Sequence, residues 1–77
     1  MQPVTIYSTP TCHYCHLAKE FFDAHHVAYT DYDVSIDAAK HNEMIALTGQ
    51  LGVPVIRIGD TVLVGFKEST LKELLGI

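Results

Sequence analysis

Short apolar runs alternate with amphipathic ones along this chain, and the changes of period mark out its elements. Val4-Thr5-Ile6-Tyr7 is β-branched and aromatic and is closed by the turn and capping residues Ser8-Thr9-Pro10-Thr11, which predicts a first strand. From Cys12 the period becomes helical. Cys15, Ala18 and Phe22, flanked by Leu17 and Phe21, form one apolar stripe against Lys19, Glu20 and Asp23, so a helix is expected to about His25. The segment 27–34 alternates and is rich in strand formers, predicting a second strand. Ser35 or Asp37 can cap a second helix that turns Met44, Ile45 and Leu47 to the core and ends near Thr48-Gly49, Gly49 being suited to the position after the helix. Val53-Pro54-Val55-Ile56-Arg57-Ile58, the pair Gly59-Asp60 and Thr61-Val62-Leu63-Val64 read as a β-hairpin. Lys67 to Leu75, with Leu71, Leu74 and Leu75 at helical spacing, predicts a last helix stopped by Gly76.

The resulting order is β-α-β-α-β-β-α, an α/β class. Two strands joined through a helix should be parallel and the hairpin antiparallel, giving a mixed four-stranded sheet with helices over its faces. No linker, repeat or low-complexity stretch interrupts the pattern, so residues 1–77 are expected to form a single domain. At 77 residues, burial barely exceeds conformational entropy, and the 48% hydrophobic content must supply the core. Net charge is −4 and the five basic residues are scattered, which leaves no basic patch for nucleic acid or anionic lipid. Proteins or small thiols are the expected partners. The apolar runs fall far short of the ~20 residues that span a bilayer. The opening Met1-Gln2-Pro3 carries no export signal, so a cytoplasmic monomer without membrane contact is expected.

Chemistry concentrates at Cys12-His13-Tyr14-Cys15, which holds the only two cysteines. Positions i and i+3 share the first turn of a helix, where their sulfurs can bond. A link this short closes almost no loop and stabilises little, so the pair reads as a reversible dithiol/disulfide more than as a staple. Cys12 falls at the helix N-terminus, where unpaired N–H groups and the positive end of the helix dipole favour a thiolate, the reactive species. Cys12 is therefore the expected attacking sulfur and Cys15 the resolving one. His13, when cationic, would favour the thiolate further and make the couple a stronger oxidant.

Competing chemistries use the same residues. Cys12-His13-Tyr14-Cys15-His16 also matches the C-x-x-C-H attachment pattern of c-type haem, with His16 as axial ligand. Against it, the motif opens a helix in a β-rich chain that carries no export signal. Zinc on the two cysteines with His13 or His16 lacks a second ligand pair, so no intramolecular metal site is expected. An iron-sulfur cluster bridged between two chains is the alternative binding function. His25, His26 and His41 are expected on a solvated face.

The run Tyr7-Ser8-Thr9-Pro10-Thr11-Cys12-His13-Tyr14-Cys15, with Gly52-Val53-Pro54-Val55 and Val64-Gly65-Phe66 downstream, resembles the glutaredoxin branch of the thioredoxin-fold family. It looks most like the small glutaredoxin-like proteins of the YruB type and the NrdH-redoxins, over nearly the whole chain. The resemblance implies a thioredoxin fold and thiol-disulfide exchange through Cys12 and Cys15, with no tightly bound cofactor. It also implies that Pro54 is cis and lies against the dithiol, and that Val53 pairs through its backbone with the partner. Thr11, His13, Tyr14, Val53, Pro54, Gly65 and Phe66 would form the substrate-binding face. Three positions depart from the glutathione-using pattern. Thr9 stands where a lysine is usual, His13 where proline is common, and Gly65-Phe66-Lys67-Glu68 where Gly-Gly-x-Asp holds glutathione. NrdH-redoxins carry Gly-Phe-Arg near that point. The expected substrates are disulfide-containing proteins, and the expected donor is a thioredoxin reductase-type flavoprotein, with glutathione as the other candidate donor and co-substrate.

Overall fold

The computed structural model describes residues 2–77. Its elements are β1 (Val4–Ser8), α1 (His13–Ala24), β2 (Thr30–Asp33), α2 (Ala38–Thr48), β3 (Val55–Ile58), β4 (Thr61–Val64) and α3 (Glu68–Leu75). The four strands form one sheet in the order β2-β1-β3-β4. β1 and β2 are parallel, while β1 with β3 and β3 with β4 are antiparallel, as in the thioredoxin fold.

Strand alternation divides the core between the two faces of the sheet. Val4, Ile6, Ile56 and Ile58 pack with Ala18, Phe21 and Phe22 of α1 and Leu71 of α3. Tyr7 and Val55 point to the opposite face, where they meet Val34 and Met44 of α2. Two helices therefore cover one face and α2 alone the other. Among the described residues no helix is long and apolar enough to cross a membrane.

The chain departs from the sequence expectations in three places. The second strand begins at Thr30, not Val27, because Val27 ends the preceding helix. Its N–H bonds the carbonyl of Phe22 at 2.8 Å and that of His26 bonds Asp23 at 3.2 Å, a Schellman cap in which His26 takes the left-handed position at φ 54°. β3 begins at Val55 because Pro54 has no N–H to give the ladder; the Val53-Pro54 peptide is cis. Of the two residues offered as caps for α2, Asp37 takes the role, its carboxylate accepting the Lys40 N–H at 3.0 Å, while Ser35 turns back to bond Asp33. In α2 only Met44 is fully buried, with Ile45 and Leu47 half-exposed, and in α3 Leu71 alone is buried while Leu74 faces solvent. Gly49 and Gly76 end α2 and α3 with positive φ, as their placement predicted.

Candidate active site

Topology gathers the chemistry at one pole. The parallel strands β1 and β2 end there, β3 begins there because it runs antiparallel to β1, and β4 returns to it. The connections 9–12, 34–37, 49–54 and 65–67 consequently all open at the same end of the sheet.

Cys12 is the N-cap of α1, with extended backbone at φ −86° and ψ 112°. Its sulfur accepts the N–H of Cys15 at 3.1 Å, satisfying one of the four amides that a helix start leaves unpaired. Cys12 and Cys15 are joined as a disulfide with their Cα atoms 5.2 Å apart, close to the roughly 5 Å that separates positions i and i+3 of an undistorted helix. The two sulfurs differ in access. Cys15 is completely buried, whereas Cys12 is half-exposed. An N–H aimed at Cys12 Sγ stabilises negative charge on that atom, and the helix dipole adds to it.

The loop before the motif is held from both sides. Cys12 N–H donates to the Thr9 carbonyl at 3.3 Å, and the His16 ring donates through Nε2 to the Pro10 carbonyl at 2.8 Å. That bond occupies Nε2 and fixes the His16 ring against the loop that leads into the motif. Thr11, His13 and Tyr14 all stand exposed, with the last two rings edge to face at 5.4 Å. Among the described residues, no three His, Cys, Asp or Glu side chains converge where they could hold a metal ion.

On the other side of the pole, Pro54 is buried and its carbonyl accepts the Gly65 N–H at 2.8 Å. That bond ties the cis-proline segment to the turn after β4, where Gly65 at φ 89° takes a conformation that side chains disfavour. Val53, Pro54 and Gly65 thus form one connected ledge. Phe66 is half-buried against Phe21, with ring centroids 6.0 Å apart, so it anchors this turn to α1 as well as bordering the ledge.

One part of the arrangement escaped sequence reasoning. Ser8, the last residue of β1 and 1% exposed, donates from Oγ to Asp31 Oδ1 at 2.6 Å, and Lys19 Nζ pairs with Asp31 Oδ2 at 2.6 Å. β1, β2 and α1 are thereby linked directly beneath the motif, and Lys19 is not free to bind a substrate carboxylate. Ser8 shares the inward parity of Val4 and Ile6, which was the one available signal. The most evident cavity, about 350 Å³, lies elsewhere, on the α2 face among Thr5, Tyr7, Lys40, Glu43 and Arg57. There burial and a hydrogen bond to Glu43 push the Tyr7 hydroxyl pKa up, and the Lys40 hydrogen bond holds the Glu43 carboxyl below its ordinary range. We assign the chemistry to the pole, because both sulfurs are there and the cavity contains no cysteine.

A family model described as Glutaredoxin matches residues 4–63. The chain is 38% identical over 72 residues to a glutaredoxin-like 8.6 kDa protein from the rubredoxin operon of Clostridium pasteurianum, an alignment covering 94% of this chain and 96% of that protein. It is 40% identical over 58 residues to glutaredoxin 3 of Escherichia coli, covering 75% of this chain and 70% of that one. Among solved structures, a mutant of a thioredoxin-like protein superposes with a TM-score of 0.92 at 34% identity, over 100% of this chain and 99% of the other. NrdH-redoxin from Escherichia coli superposes with a TM-score of 0.82 over 94% and 93% of the two chains, and at 24% identity it shares the fold.

Proposed function

This chain belongs to the glutaredoxin family, whose members carry out thiol-disulfide exchange, and we propose that it is a dithiol reductase of protein disulfides in which Cys12 attacks and Cys15 resolves. The observation that carries this reading is the asymmetry of the pair: Cys12 sits half-exposed at the helix N-terminus with an N–H on its sulfur, and Cys15 is wholly buried. The Cys12 thiolate attacks one sulfur of the partner disulfide, forming a mixed disulfide and releasing the other sulfur as a thiolate. Cys15 then gives up its proton to solvent and attacks Cys12 Sγ. The Cys12–partner bond breaks, the Cys12–Cys15 bond forms, and the second partner sulfur leaves and is protonated. Two electrons have passed to the partner. Val53 offers backbone for an extended partner segment. Pro54, Gly65 and Phe66 shape the ledge beside it, and Thr11, His13 and Tyr14 border the attacking sulfur.

The electron donor follows from the charges available. Lys19 is engaged by Asp31, Thr9 is uncharged, and the segment Gly65-Phe66-Lys67-Glu68 retains only Lys67 as a free cation near the ledge. Too few contacts remain to hold the carboxylates of glutathione, which favours a flavoprotein of the thioredoxin reductase type, with glutathione as the slower donor. We place the work of this single-domain monomer in the reducing cytoplasm, where a dithiol can be kept ready. Two measurements test the reading. Cys15→Ser should trap a mixed disulfide with an oxidised protein partner and Cys12→Ser should not, and equal trapping would overturn the assignment of roles. Reduction of the Cys12–Cys15 disulfide should show a higher kcat/KM with NADPH-driven thioredoxin reductase than with glutathione and its reductase. Rapid turnover with glutathione would reverse the donor assignment.

A further inference from the structure

β3 reads Val-Ile-Arg-Ile, and Arg57 is the one charged residue on the two central strands. Alternation turns Thr5 and Tyr7 of β1 and Val55 and Arg57 of β3 to the α2 face, with Thr5 opposite Arg57 and Tyr7 opposite Val55. The pair nearer the dithiol, Tyr7 and Val55, packs under α2. The other pair, half-buried, floors the 350 Å³ cavity, with Tyr7, Tyr32, Lys40 and Glu43 at one end and Gly59-Asp60 at the other. The turn at 59–60 lies at the end of the sheet away from the cysteines, so this space is separate from the dithiol site.

The charges in the cavity are unequally engaged. Among the described residues the ion pairs are Lys19 with Asp31, Lys40 with Glu43 and Lys72 with Glu68, and Arg57 belongs to none of them. Its Nε–H donates to the Gly59 carbonyl at 3.0 Å, and the Gly59 N–H donates to the Pro3 carbonyl at 3.0 Å. The guanidinium is thus oriented by a turn that is itself fastened to the start of β1, and the Nη donors of its fork are left for a ligand. Glu43 does not supply the missing partner, since it is held by Lys40 at 2.9 Å and by the Tyr7 hydroxyl. A fixed, half-buried fork without a counter-ion matches a carboxylate bidentately. Charge count sets the class of anion: Lys40 and Glu43 cancel and Asp60 stands at the rim, so Arg57 offsets one negative charge on a ligand and a second meets repulsion. Pro3 and the paired rings of Tyr7 and Tyr32, 5.8 Å apart, supply apolar wall for the rest of the molecule.

We propose that this cavity binds a small organic monocarboxylate with an apolar body, its carboxylate held by the Arg57 fork beside Thr5. Amide NMR titration of the intact oxidised protein at constant pH tests it, with sodium benzoate, benzamide and sodium phosphate as probes. Benzoate should give saturable shifts at Thr5, Arg57 and Gly59. Benzamide, of the same shape without the charge, should bind about tenfold more weakly or less, and phosphate more weakly than benzoate. Arg57→Gln should raise the benzoate Kd about tenfold or more, and Arg57→Lys, which keeps the charge and loses the fork, by a smaller factor. Lys72→Gln, on the helix over the other face, should leave the Kd unchanged. The absence of saturable shifts with benzoate, equal affinity for benzamide, an unchanged Kd in Arg57→Gln, or tighter binding of phosphate overturns the proposal. The benzamide and phosphate comparisons use the native protein, so they decide the matter even where Arg57→Gln does not fold.

Discussion

Replacing Ser8 with alanine removes one oxygen atom from a junction of three elements. Ser8 Oγ is buried and donates to Asp31 at 2.6 Å, while Lys19 holds the other carboxylate oxygen at 2.6 Å. A hydrogen bond to a charged acceptor contributes roughly 1.5–3 kcal/mol net. The side chain of Asp31 is 33% exposed, so water can replace part of the lost donor, and the lower end, about 1.5 kcal/mol, is expected. The ion pair is the weaker link despite its equal length. Lys19 is 23% and Asp31 33% exposed, and pairs screened by solvent contribute about 1 kcal/mol or less. Ser8→Ala should therefore destabilise more than Lys19→Met. For a domain this small, about 1.5 kcal/mol corresponds to a fall in Tm of roughly 6–12 °C. Thermal unfolding of the two variants at low salt and in about 0.5 M NaCl distinguishes the contributions, because salt screens the lysine effect and spares the hydroxyl. A loss below about 2 °C for Ser8→Ala, or a larger loss for Lys19→Met, refutes this apportioning.

Three other outcomes are expected. His26→Gly should stabilise the fold by up to about 1 kcal/mol, because φ 54° at this cap position costs an L-residue about 1–2 kcal/mol, offset in part by the added freedom of glycine when unfolded; an unchanged Tm would show that the His26 side chain contributes as much as it costs. The Lys40 hydrogen bond lowers the Glu43 pKa, so its stabilisation is present above the unfolded carboxylate value of about 4.3 and is lost as pH falls below it. Urea unfolding across that window should show the advantage over Glu43→Gln disappearing in acid, and a difference independent of pH would contradict it. His13→Pro should make the dithiol couple less oxidising, by ~30 mV if the imidazole favours the reduced form by about 1.4 kcal/mol; equilibration against glutathione buffers reads the shift, and a more oxidising variant would reverse the reasoning.

What could be read in the chain was local. The hairpin, the Asp37 cap, the glycines after α2 and α3 and the cysteine spacing each depend on residues within a few positions of one another, and all appear in the structure. The start of β2 was obscured because Val27 has the alternation of a strand residue but serves as the hydrophobic end of a helix cap. Leu74 has helical spacing, yet α3 meets the core through Leu71 and Leu75, and spacing alone does not reveal which of the three turns outward. The link from Ser8 to Asp31 spans 23 positions and becomes visible only once β1 and β2 are paired in parallel. The pole itself was implicit in the element order, but the bonds of the Gln50 side chain to the Gly52 backbone are ones that no periodicity records.

The fit of the Cys12–Cys15 bond to ordinary helix geometry bears on how the protein cycles. With the Cα atoms 5.2 Å apart, near the spacing of an unconstrained turn, the sulfurs can join or separate while the backbone stays in place. No hinge has to swing and no segment has to refold for that bond to open or close. The oxidised and reduced forms therefore present nearly the same outline to whatever approaches them. A donor and an acceptor cannot be sorted by shape, and their order on the surface is set by which of them carries an oxidised sulfur pair.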